Sequence, residues 1–174
     1  MPFVTTADAC DREAAFLNLT SDGLPVLPLP AGGVWDNIQA YVPRTPANMQ
    51  KQIWVVRPDW GIDVLADQRS QAKYALELRL RWPITSTTSG NAEAEQRAFD
   101  LAINDVVTRV LGTPPGFRGG IGMDKTHDGK FLAVAEGPNR VRVQVTPADE
   151  AFKTSPVVLT ARIFYVADDY DFNN

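Results

Sequence analysis

One histidine, one cysteine, a run of glycines, a cluster of aspartates and a set of regularly spaced arginines are the side chains of this sequence with chemistry to offer. His127 sits in KTHDGK, beside Asp128-Gly129, a dipeptide that favours a tight turn. An imidazole titrates near neutrality and suits general acid-base work, but it needs a nucleophile and an orienting partner. No serine lies in a G-x-S-x-G elbow, and the carboxylates nearest to His127 in sequence are Asp124 and Asp128. A small hydrolase built on His127 with either aspartate is therefore the enzymatic alternative; a lone histidine in a loop is more commonly an exposed turn residue. One histidine and one cysteine do not make a transition-metal site without added carboxylates. The tail aspartates Asp168, Asp169 and Asp171 lack the spacing and the glycine of a calcium loop. The glycines of GFRGGIGMDK resemble a phosphate cradle only faintly: no strand runs directly into them, no helix opens after them, and no G-K-[ST] follows. Cys10, the sole cysteine, cannot form an internal disulfide and reads as a small apolar side chain on a helix face. The expectation is no catalytic residue, no cofactor and no metal.

The arginines carry more weight. KYALELRLRWPI, residues 73–84, alternates Tyr74, Leu76, Leu78, Leu80 and Trp82 with Glu77, Arg79 and Arg81. That is a strand with one face for a core and one rich in guanidinium. RVRVQVTP alternates Val141, Val143 and Val145 with Arg142, and SPVVLTARIFYVA sets Arg162 opposite Val157, Leu159, Ala161, Ile163 and Tyr165. Arg79, Arg81, Arg142 and Arg162 are thus expected on one sheet face. Such a face is either plain solvent exposure softened by Glu77, or a docking surface for acidic groups of another copy, with Glu93, Glu95, Asp168 and Asp169 as the candidate complements.

The elements that position these residues can be read along the chain. TTADACDREAAFLNL predicts a short helix capped by Thr5 or Thr6, with Ala9, Cys10, Glu13, Phe16 and Leu17 on one stripe. Prolines 25, 28 and 30 predict an extended run over the surface or along another subunit. KQIWVVRP predicts a strand ending at Pro58, and DWGIDVLADQRSQ, without a period, a connector. AEAEQRAFDLAINDVVTRVLG is the clearest helix, with Phe99, Ala102, Ile103, Val106 and Val110 facing a sheet, Glu93 and Glu95 near its start, Arg109 in its last turn and Gly112 beyond its end. KFLAVAEG and RVRVQVTP are expected to pair across the turn GPN, and DDYDFNN to be a loose acidic tail. The sum is one domain over 1–174 of α/β (α+β) class: a mostly antiparallel mixed sheet, with one long helix and a shorter N-terminal helix packed on one face. Its irregular parts would be the helix and Pro-rich extended segment of 1–46, the Gly-rich loop of 112–130 and the acidic tail of 167–174.

The chain has 174 residues, 44% hydrophobic and 22% charged, which suits one folded domain. A net charge of −4 argues against tight nonspecific binding to nucleic acid, which needs a surplus of cations to displace counterions. No apolar run reaches the ~20 residues that span a bilayer.

LRLRWPITSTTSGNAEAEQRAFDLAINDVVTRVLG, followed by THDGKFLAVAEGPNRVRVQV, resembles the tail terminator proteins of long-tailed (siphovirus-type) bacteriophages, particularly those of actinobacterial hosts. The shared features are a strand ending in W-P-[IV], a Thr/Gly-rich turn, an E-x-E-Q helix start and a T-H-[DG]-G-[KR]-F-L loop; they run from Arg57 to Val145 and are structural, not catalytic. The resemblance implies an α/β subunit without enzymatic activity, found in the virion neck after synthesis in the host cytoplasm. It implies a homohexameric ring that seats on the last ring of the major tail-tube protein, ends tube polymerisation and offers its other side to the head-tail connector or stopper protein. DNA would pass through the lumen without specific binding, and no membrane is involved. The sequence departs from the pattern in PPGFRGGIGMDK, expected at the lumen or at the tube-facing side. A stopper or a head-completion protein is the neighbouring reading.

Overall fold

The computed structural model describes residues 5–20, 24–47, 49–66, 69–85, 89–111, 125–127, 130–134 and 141–172. Helix α1 spans Thr6–Asn18 and is opened by a reciprocal cap: Thr5 Oγ1 accepts from the Asp8 amide at 3.1 Å, and Asp8 Oδ2 accepts from the Thr5 amide at 3.3 Å. The expected stripe Ala9, Cys10, Glu13, Phe16 and Leu17 is buried throughout. Asn18 closes the helix and ties it to the sheet, since its Nδ2 donates to both Ala14 O and Ile38 O.

The proline-rich segment lies largely at the surface, but it is pinned to the domain at two points. Leu27 and Trp35 are buried in the chain's own core. Pro30 lies early in a short 3-10 turn, Leu29–Ala31, and Trp35 exchanges backbone hydrogen bonds with Leu27 and Leu29. Proline serves both conformations here: Pro28 is extended, and Pro30 supplies the φ that the turn needs. Gly33 allows the close return: a Cβ there would stand 2.0 Å from the Leu27 carbonyl oxygen.

Strand β1, Asn37–Ala40, runs parallel to β2, Gln52–Ala66, which pairs antiparallel with β3, Arg69–Pro83. β2 does not stop at Pro58. It continues through an irregularity between Val56 and Asp59, the kind of break in a ladder where a residue without an amide donor is tolerated. The stretch read as a connector is therefore the second half of a long hairpin, and β3 begins four residues earlier than the alternating run at Lys73. Helix α2, Ser89–Leu111, follows, then β4 (Lys125–His127), β5 (Lys130–Val134), β6 (Val141–Val145), the short helix α3 (Ala148–Ala151) and β7 (Val158–Phe172).

The sheet order is β1-β2-β3-β7-β5-β4, with β6 also on β7. β5 and β6 do not pair with each other as expected. β7 is fifteen residues long, so two short strands fit end to end along one of its edges: β6 beside Ala161–Tyr165 and β5 beside Ala167–Asp169. The acidic C-terminal run is likewise not a loose tail. Residues as far as Phe172 extend β7 opposite β3, because the lengthened hairpin supplies a backbone partner for each of them. The fold is thus α+β, a mostly antiparallel sheet with a long and a shorter helix.

Tyr74, Leu76, Leu78, Leu80 and Trp82 of β3, and Leu159, Ala161, Ile163 and Tyr165 of β7, form one core with the α2 stripe of Phe99, Ala102, Ile103, Val106 and Val110. Trp35 and Trp82 meet edge to face at 5.4 Å between centroids, with Phe99 beside both. Two charged side chains are enclosed with them. Arg109 reaches α1, and Glu13 accepts the Tyr165 hydroxyl at 2.7 Å. Burial first, and then the Glu13 charge, hold the Tyr165 phenol well above its ordinary value. An unfolded tyrosine ionises near pH ~10. A raised folded value means the contribution is intact below that pH and drains away as the solution becomes more alkaline. Thermal melts between pH 7 and 11 should show stability falling above pH ~10. Tyr165→Phe should flatten that fall while costing about 1–3 kcal/mol at neutral pH, because Glu13 loses a buried donor.

Candidate functional site

The sheet has a second face, away from the helices, and its rows follow from the register. Trp54, Arg79, Arg162 and Gln144 stand side by side across β2, β3, β7 and β6. Gln52, Arg81, Thr160 and Thr146 form the row on one side, and Val56, Glu77, Phe164 and Arg142 the row on the other. The four arginines expected on one face are on one face, because each alternates with a core residue on its own strand.

Two of them are direct cross-strand neighbours, an arrangement that repels unless a carboxylate intervenes. Glu77 is that carboxylate: its Oε1 lies 2.8 Å from Arg79 Nε and 3.6 Å from Arg162 Nε. One acid is divided between two guanidinium groups, which leaves donors on both uncommitted to it. Arg81 is engaged differently, donating through Nη1 to the Ala47 carbonyl at 2.7 Å, and burial lowers its pKa. Arg142 lies over the Phe164 ring at 4.5 Å. A depression of about 630 Å³ occupies this face, with Trp54, Arg79, Arg162 and Thr160 among its lining and Glu150 of α3 on its rim. The Thr160 and Thr146 hydroxyls there bond to each other at 2.8 Å. Planar forks beside a buried indole suit the binding of carboxylate or phosphate oxygens.

The proposed acidic complements are placed less simply. Glu93 is exposed on α2. Glu95 is not free for a neighbour: it turns inward and accepts from Trp82 Nε1 at 2.6 Å, so this helix-start acid serves the core. Asp168 and Asp169 are strand residues, in register with Lys73 and Ala72 of β3 and with Ala133 and Leu132 of β5, and Asp171 pairs with Ser70. They are not part of a tail that could reach another subunit.

His127 is the last residue of β4 and pairs with Lys130, so it flanks the expected Asp128-Gly129 turn. Asp124, Asp128 and Gly129, Gly112 and the glycine run of 112–124 lie outside the described residues. Cys10 is enclosed, with Sγ 3.8 Å from the Val56 carbonyl oxygen, and burial pushes its thiol pKa up, the opposite of an activated nucleophile. Among the described residues no group of three or more His, Cys, Asp or Glu could hold a metal ion, and no helix is long and apolar enough to cross a membrane.

Two participants escaped the sequence reading. Trp54 is only 8% exposed although it stands in the arginine row; in a run of four apolar residues, Ile53–Val56, nothing marks which ones face the helices. Phe164 stands where alternation puts it, with Thr160 and Arg162 on the polar side of β7; its role as the platform under Arg142 is what the sequence did not mark. No protein-family model and no curated protein matches the chain.

Proposed function

We propose that this chain is a virion structural protein, a tail terminator that caps the tail tube as a homohexameric ring and joins it to the head connector. The observation that supports this reading most is the arginine face. Arg79 and Arg162 share the single carboxylate of Glu77, and Arg142 lies exposed beside them. That is a surface equipped to hold carboxylates presented by another protein through several charge-assisted bonds. It agrees with the likeness of residues 57–145 to the terminators, whose role is to be bound on two sides. The chain's net charge of −4 fits a lumen through which DNA slides without sticking.

The test is direct. Images of the purified protein should show a closed annulus about as wide as a phage tail, and cross-linking in particles should join it to the major tail-tube protein. Cross-links to the portal side alone would assign it to a stopper or head-completion role. A chain that stays solitary at high concentration and is absent from particles would end the proposal.

A further inference from the structure

The sheet has two unlike exposed edges. β1 covers β2 only from Gln52 to Val55, so from Asp59 to Asp63 the outer edge of β2 has no strand beside it among the described residues. On the helix side of that edge stand Trp60 and Ile62, 54% and 48% exposed, paired in register with the buried Tyr74 and Ala72. β6 has a strand partner on one side only among the described residues, β7. Its Val143 and Val145 are on the same helix side, in register with buried Ile163 and Ala161, yet 39% and 46% exposed. Large apolar side chains on an unpaired edge are what folded proteins ordinarily avoid.

We propose that the β2 edge of one copy pairs antiparallel with the β6 edge of the next, so that the sheet runs on from subunit to subunit. The chemistry of the two edges selects this occupant. On the face opposite the apolar pairs, β2 carries Asp59 and Asp63, whereas β6 carries Arg142 and Gln144. Setting Val143 beside Ile62 and Val145 beside Trp60 brings Arg142 beside Asp63, so apolar meets apolar on one face and opposite charges meet on the other. Asp63 already bonds to Lys73 at 2.6 Å, and both groups are exposed enough to accept a further partner. Like edges match less well: β2 on β2 about Gly61 sets Asp59 opposite Asp63, and β6 on β6 offers Arg142 no acid, so head-to-tail pairing is favoured.

The strand directions agree with this. β2 is antiparallel to β3, β3 to β7 and β7 to β6, so a neighbour's β6 brought to β2 by rotation about a ring axis arrives antiparallel. The edges sit at different heights: Val143 is level with Ile163, Leu78 and Val55, whereas Ile62 is level with Ala72, six residues farther along β3. Joining them staggers each copy by ~20 Å over four strand spacings of ~19 Å in all, a strand tilt of roughly 45°, within what closed sheets adopt. A heterologous contact of this kind closes into a ring when its rotation permits.

This inference rests on the ring reading for its copy number but not for its edges. The test mixes two variants, Ile62→Cys and Val143→Cys, under mild oxidation, with buried Cys10 as the only other thiol. A disulfide-linked dimer in the mixture, with little or none from either variant alone, is the expected result, and the double variant should give a ladder of higher species. Linkage of either variant to itself would mean like edges meet and would overturn the inference. So would assembly on a sizing column with no cross-link in the mixture, a result that leaves the ring function intact. Ile62→Lys with Val143→Lys, which sets like charges directly opposite each other at half-exposed positions, should yield monomers with little change in melting; retained assembly would also overturn the edge pairing.

Discussion

Arg109→Ala is expected to destabilise the fold by on the order of 4 kcal/mol, a large fraction of the total stability of a domain this size. Arg109 is fully enclosed. Its Nε and Nη2 donate to the Phe16 carbonyl at 3.3 and 2.9 Å, and Nη2 also reaches the Leu19 carbonyl. Those oxygens end α1, where no later turn of the helix supplies donors. The guanidinium lies 4.9 Å from the Phe16 ring centroid, and burial lowers its pKa. Truncation would take the guanidinium from both carbonyl groups, leaving Phe16 O its bond from the Leu19 amide, open a cavity and unlatch α2 from α1. Arg109→Met would fill the space but not the bonds, so it should recover part of the loss. Chemical denaturation midpoints for the two variants check this: equal destabilisation would mean that packing contributes nothing, and full recovery by methionine that the hydrogen bonds contribute nothing.

Arg79→Glu combined with Arg142→Glu should convert the assembled protein to monomers while leaving its melting temperature nearly unchanged. The first reversal sets a new carboxylate beside Glu77, so Arg162 faces two acids and the face loses its anion-holding character. The second would turn the charge of β6 against Asp63 on the edge proposed to pair with it, and removes the cation stacked on Phe164. Both positions are partly or fully exposed, so the folded monomer gives up little. Size-exclusion chromatography at a concentration where the parent assembles reads the outcome. An unchanged elution volume would exclude this face and the edge next to it from the subunit interface.

Much of the fold was legible because alternation and helical spacing are local. The α2 stripe, the β3 alternation and the α1 cap needed only side-chain type and interval, and the four arginines came to one face from the same rule. What could not be read was settled by partners distant in sequence. Pro58 looked like a terminator of β2, yet the hairpin offered pairing beyond it. The aspartates of β7 looked like a solvated tail until β3 and β5 supplied ladders on either side. Glu95 and Arg109 looked like surface charges matched to a helix dipole; each instead satisfies a group from another element, Trp82 Nε1 and the end of α1. The proline-rich segment misled for a related reason, since only the fold reveals that Leu27 and Trp35 have a core to enter.

β7 is matched by β3 over its full length on one flank, while the other flank is divided between β6 and β5. The divided flank gives the domain two cooperative units of opening. The β4–β5 hairpin can detach and exchange its amide hydrogens by one route, and β6 by another, without either event breaking the β3–β7 ladder. A partner that grips only one of these short strands would slow exchange there alone.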